Sequence, residues 1–211
     1  IAETIRERPK PEHRRLPRCW LVHGFNVRDG GAGTVDRLAP YFERRGYVAA
    51  DFDYGWLWNG LLGVRFGNNR RAKALAEKVQ PGDIAVGHSN GCALIHLACR
   101  DHGAPLKWAA YINPALDRDA EPAPQLEELH VWHTAKDQAV RVAQWLPWHA
   151  WGAMGAHGYS GTDQRVRNWD MLNNWVTCRV SAHSEVFEPE KLTFFGPKIA
   201  GRARRPRVRT A

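Results

Sequence analysis

Hydrophobic and polar positions follow two alternating regimes along the chain. Short apolar runs rich in β-branched and aromatic residues occur at 19–25 (CWLVHGF), 47–55 (YVAADFDYG), 83–89 (DIAVGHS), 106–114 (LKWAAYINP) and 126–134 (LEELHVWHT). Such runs read as buried strands. Helical spacing fills the gaps: 35–45, ended by Gly46; 69–80, stopped by Pro81-Gly82; 90–102, with apolar residues at 93, 94, 97 and 98; and 138–146. The stretch WLWNGLLGVRFG after the second strand has no clean period, and 147–164 reads as a loop rich in Trp and Gly. RVRN at 165–168 begins a last short strand, and the segment from 184 towards 195 reads as a closing helix interrupted by Pro189. Continuous apolar strands alternating with amphipathic helices predict an α/β fold: a mostly parallel sheet flanked by helices on both faces. Right-handed crossovers then gather the strands' C-terminal ends along one edge, where such folds place their sites.

With 211 residues the chain is long enough for one domain with a substantial core. The formal charge of +8 is unevenly spread. Residues 1–18 hold six Lys/Arg against three Glu, and residues 197–211 hold six Lys/Arg and no acid, so 19–196 is nearly neutral. This divides the chain into a basic N-terminal arm (1–18), a globular body (19–196) and a basic C-terminal tail (197–211). The tail composition is that of a solvated, disordered segment, and its charge would also suit a polyanion. No apolar run approaches the length of a membrane span, and residues 1–18 lack the apolar stretch of a signal peptide. Cys19, Cys92, Cys99 and Cys178 include no C-x-x-C pair and read as free core thiols in a reducing, cytoplasmic compartment; a Cys19–Cys178 bridge is the one alternative.

The chemistry concentrates at GHSNG (87–91), which follows a predicted strand and opens a predicted helix. That context gives a G-x-S-x-G motif its meaning: a sharp turn lifts the serine above the sheet edge, and the glycines leave room for the turn. The N–H groups of the helix beginning at Asn90 then point to where an oxyanion would develop. His130 and His133, three apart on a strand, face opposite sides and make a poor metal pair, and no zinc pattern is present. DGGAG (29–33) lacks the G-K-[ST] ending of a phosphate-binding loop and reads as a flexible loop. No cofactor is implied.

Four segments together resemble the α/β-hydrolase family, of the small lipase- and esterase-like kind, over roughly residues 18–196. LVHGF resembles the family's first oxyanion segment and GHSNG its nucleophile elbow. HVWHTAKDQAV resembles its acid loop and SAHSEVF its histidine loop. The resemblance implies a minimal α/β-hydrolase fold without a large cap domain. It implies a triad in the family's order, Ser89, Asp137 and His183, with oxyanion donors from the backbone N–H groups of Phe25 and Asn90. His157 and His149 compete for the base, and Asp117 and Asp119 for the acid. Trp56 and Trp58, with Trp148 and Trp151, are expected to rim the pocket around a small-molecule or lipid-like ester. The implied function is cleavage of a carboxylic ester through an acyl-enzyme; thioester or amide cleavage would use the same machinery. The contrasting class is a catalytically silent scaffold attached to a larger assembly through its basic ends.

Overall fold

The computed structural model describes residues 15–25, 28–55, 60–139 and 152–206. Its centre is a six-stranded parallel sheet in the order β2-β1-β3-β4-β5-β6. The strands are β1 (Arg18–Val22), β2 (Val48–Phe52), β3 (Ile84–His88), β4 (Trp108–Ile112), β5 (Glu128–His133) and β6 (Val166–Asp170). The helices are α1 (Ala39–Glu43), preceded by a 3-10 turn at Val35–Leu38, then α2 (Gly60–Ala76), α3 (Asn90–Arg100), α4 (Met154–His157) and α5 (Pro189–Arg202).

Period-two alternation divides the core. Trp20, Val22, Ala85, Tyr111 and Val131 face α2 and α3. Cys19, Leu21, Ile84, Val86, Trp108, Ala110, Ile112 and Trp132 face α1 and α5. The chain first steps outward from β1 to β2 and then returns past β1 to β3. Right-handed crossovers require those two connections to lie on opposite faces, and they do. The reversal places a crevice between the ends of β1 and β3, the switch point at which open α/β sheets bind ligands. Register aligns the strand ends there, pairing Val22 with Gly87, His88 with Ile112, Ile112 with Trp132 and His133 with Asp170. The segments after β1, β3, β4 and β5 therefore leave the sheet at one edge.

Two helices, α2 and α5, depart from the sequence pattern. Helix α2 begins at Gly60, nine residues before its expected start at 69. Each glycine costs about 1 kcal/mol of helix propensity, but packing overrides it: Val64, Ala72 and Leu75 are buried. Pro189 begins α5 rather than interrupting it, because its missing N–H is not needed in the first turn. The same helix carries the body past the boundary expected at 196. It continues to Arg202, and Ile199, Ala200 and Ala203 are buried against the sheet. Arg45 donates to the Ala203 carbonyl and Tyr47 Oη to the Arg204 carbonyl at 2.6 Å, so residues 197–204 belong to the folded body. All four cysteines are free, but Cys178 is only half-buried and so is not a core thiol. No helix of the described residues is long and apolar enough to cross a membrane.

Candidate active site

Ser89 joins β3 to α3 at φ 53° and ψ −121°, a conformation that costs a non-glycine residue roughly 1–3 kcal/mol. Its own backbone is held firmly: its N–H donates to the Ile112 carbonyl at 3.0 Å, and its carbonyl accepts from Cys92 and Ala115. Between residues 83 and 96, Ser89 is the sole residue that is not buried. The two motif glycines are there for space. A methyl group on Gly87 would lie 2.8 Å from the Cys92 nitrogen, and one on Gly91 would overlap the Val22 carbonyl oxygen. Glycine at both positions lets α3 press against the ends of β1 and β3 with its N-terminus beside the serine.

The segment after β1 runs alongside. A methyl group on Gly24 would sit 3.2 Å from the Ser89 Cβ, so Gly24, the residue before Phe25, lies beside the serine. Asn90 is fully buried at the start of α3. The two segments expected to donate to an oxyanion thus flank Ser89 from both sides.

The acid and the histidine meet across 46 residues. His183 Nδ1 is 2.6 Å from Asp137 Oδ2, and the carboxylate is fully buried while the ring is about one-fifth exposed. Asp137 ends a tight turn after β5, its N–H donating to the Thr134 carbonyl at 3.0 Å. Thr134 Oγ1 donates to the Val180 carbonyl at 2.5 Å, which ties the acid turn to the histidine loop. Glu185 Oε2 accepts from the N–H groups of Ser181 and Ala182 and closes that loop over its 3-10 turn. The rivals separate by environment. Asp117 and Asp119 are exposed, as is His157 in α4. His149 lies outside the described residues, and so do Trp56, Trp58, Trp148 and Trp151.

Two further residues belong to the site, and the sequence reading gave neither a role there. His88 Nε2 donates to the His183 carbonyl at 3.1 Å, and Asn113 Nδ2 donates to the same oxygen at 2.5 Å. The backbone of the histidine is therefore held by the residue before the serine and by the residue after β4. Burial, and next the nearby His183 charge, push the His88 pKa well below its ordinary value. The neutral ring stands 4.7 Å from the His183 ring without setting a second cation against an imidazolium. Asn113 occupies the left-handed region at φ 44°, which Asn tolerates better than most residues. The one signal for it in the sequence is an Asn-Pro directly after an apolar strand. His130 and His133 form no metal site, and no cluster of metal-ligating side chains exists among the described residues.

No protein-family model matches the chain, and no curated protein matches it either. Solved structures do. Alpha/beta hydrolase domain-containing protein 10 from mouse matches with a TM-score of 0.59 at 15% identity, over 89% of each chain. An extracellular alpha/beta-hydrolase from a Paenibacillus species matches with a TM-score of 0.51 at 14% identity, over 89% of this chain and all of the other. A pyrethroid hydrolase matches with a TM-score of 0.52 at 12% identity, over 89% and 97%. The chain has the α/β-hydrolase fold: a six-stranded parallel sheet with helices on both faces.

Proposed function

We propose that the protein is a serine hydrolase that cleaves a carboxylic ester through an acyl-enzyme, with Ser89 as nucleophile, His183 as base and Asp137 as orienting acid. The observation that carries the reading is the Asp137–His183 pair with its buried carboxylate, whose histidine backbone is fastened to the residue preceding a strained, half-buried serine. Its structural neighbours are named as hydrolases, which agrees with this class of chemistry.

The steps follow from the groups present. Asp137 accepts a hydrogen bond from the Nδ1–H of His183, which leaves Nε2 as the basic nitrogen and stabilises the imidazolium once it forms. His183 removes the Ser89 proton as Oγ bonds to the ester carbonyl carbon. The carbonyl electrons move onto oxygen, where the N–H groups of Phe25 and Asn90 donate to it; one such donor contributes roughly 10²–10³ in rate. Collapse expels the alcohol with the proton returned from His183. A water then repeats the sequence at the acyl-enzyme and releases the acid. Neutral His88 leaves the imidazolium state of His183 unopposed.

Hydrolysis of p-nitrophenyl esters of increasing chain length, by wild type and by the Ser89→Ala, Asp137→Ala, His183→Ala and His157→Ala variants, tests this. The first three should lose turnover by at least about 10⁴, and His157→Ala should keep it. Loss confined to His157→Ala, or turnover surviving in Ser89→Ala, refutes the assignment.

A further inference from the structure

Behind the serine lies a buried polar chain that joins four elements. Tyr54, just after β2, points its hydroxyl at the Gly24 carbonyl 2.6 Å away, with the His23 carbonyl at 3.2 Å. The same oxygen accepts from Asn90 Nδ2 at 3.3 Å. The second hydrogen on that nitrogen goes to Asn68 Oδ1 at 3.3 Å, and Asn68 Nδ2 returns a bond to Asn90 Oδ1 at 2.9 Å. Asn68 is on α2 and is almost fully buried, and Asn90 is completely so. The valences close: both Asn90 amide hydrogens are used, its oxygen is used, and the phenol both donates and accepts. Burial raises the Tyr54 pKa well above its ordinary value, so the hydroxyl keeps its proton and remains a donor. The His23 ring stacks on Tyr54 at 4.1 Å and donates from Nδ1 to the same Gly24 carbonyl at 2.8 Å.

The chain runs from the peptide preceding Phe25 to the side chain of Asn90. Those are the two residues whose N–H groups form the oxyanion hole in the reading above, and this inference rests on that reading. We propose that Tyr54, backed by Asn68, is a positioning residue that fixes the separation and aim of the two oxyanion donors. Gly24 supplies the carbonyl of the peptide bond whose N–H belongs to Phe25. A hydrogen bond to that carbonyl sets the plane of the peptide and hence the direction of the donor. The Asn90 side chain, held from the other side, does the same for the first residue of α3. Without the phenol the two segments are no longer fastened to each other, although neither donor is removed.

The test compares Tyr54→Phe and Asn68→Leu with wild type, using a p-nitrophenyl ester and two inhibitors. One is a trifluoromethyl ketone, which forms an oxyanion on serine addition. The other is the matching non-electrophilic ketone, which does not. Because the donors are displaced rather than deleted, kcat should fall about 10- to 100-fold with KM within about twofold. Trifluoromethyl ketone affinity should fall in the same ratio, and affinity for the plain ketone should hold. The double variant should be little worse than either single one, since both act on one chain. Equal weakening of both ketones, a change confined to KM, or a lowered melting temperature with unchanged kcat overturns the proposal. If Tyr54→Phe does not fold, Asn68→Leu decides by the same readouts. Wild type that neither turns over the ester nor labels with a fluorophosphonate would instead sink the hydrolase reading and this inference with it. An active wild type whose variants keep its kcat sinks the inference alone.

Discussion

Two carboxylates are buried at opposite edges of the same sheet, and they meet different partners. Asp83, at the start of β3, is almost fully buried. Its oxygens accept from Arg15 Nη2 at 2.9 Å, the Arg18 N–H at 2.8 Å, the Trp20 indole at 3.0 Å and the Gln80 N–H at 3.0 Å. Every one of those donors is a structural group, and the carboxylate closes the N-terminal edge. Asp137, at the C-terminal edge, is just as buried, but it meets a ring with a second nitrogen, and that ring reaches a partly exposed position. A buried charge must be paired in either place. The difference lies in the partner: a guanidinium, an indole and amides only donate, whereas an imidazole has a second ring nitrogen, the one that the proposed mechanism uses as base.

The largest expected effect separates the two. Asp137→Asn should lower kcat by about 10⁴ by favouring the wrong His183 tautomer, with little change in melting temperature. Asp83→Asn should leave the kcat of the folded protein intact and destabilise it by about 1–3 kcal/mol, by removing the charge that its donors converge on. Chemical denaturation and steady-state kinetics on both variants make the comparison. Exchanged phenotypes would break it.

A smaller effect concerns acid. His96, buried in α3, is pushed down to about 4 by burial and then by Arg100. The native state holds it uncharged while the unfolded chain protonates near the ordinary 6.5. The unfolded state therefore binds the extra proton between those values, and stability falls as pH drops from 6.5 towards 4. The loss is on the order of 3 kcal/mol when complete. His96→Gln should flatten the melting-temperature profile in that window without altering the pH dependence of turnover. A profile unchanged from wild type would contradict the role given to His96.

Smallest is Asn113→Gly. Glycine keeps the left-handed backbone but removes the bond to the His183 carbonyl. One such hydrogen bond is worth about 1 kcal/mol, so kcat should fall by about fivefold, and stability should change by no more than that. Unchanged kcat would mean that His88 alone suffices to hold the histidine.

The parallel sheet and the strand–turn–helix around GHSNG were legible because each depends on local pattern, whereas the proposed order of serine, acid and histidine came from the family resemblance. Apolar runs bounded by turns mark strands, and GHSNG is a local motif. What escaped is long-range. Tyr54 and Asn68 look like ordinary residues until the switch point brings β2, α2 and α3 together. His88 has no signal in the sequence beyond its place inside GHSNG, yet its ring is bonded to a residue 95 positions away. The early start of α2 and the continuation of α5 past residue 196 share one cause: tertiary burial overrode glycine, proline and charge signals in the sequence.

Labelling of the folded protein with a fluorophosphonate, followed by peptide mapping, addresses the central claim most directly. The account predicts one adduct per chain, on Ser89 Oγ, formed quickly in wild type and in Asp83→Asn and strongly slowed in Asp137→Asn and His183→Ala. A folded wild-type protein that takes up no label, or an adduct at another residue while Ser89 stays unmodified, would contradict it.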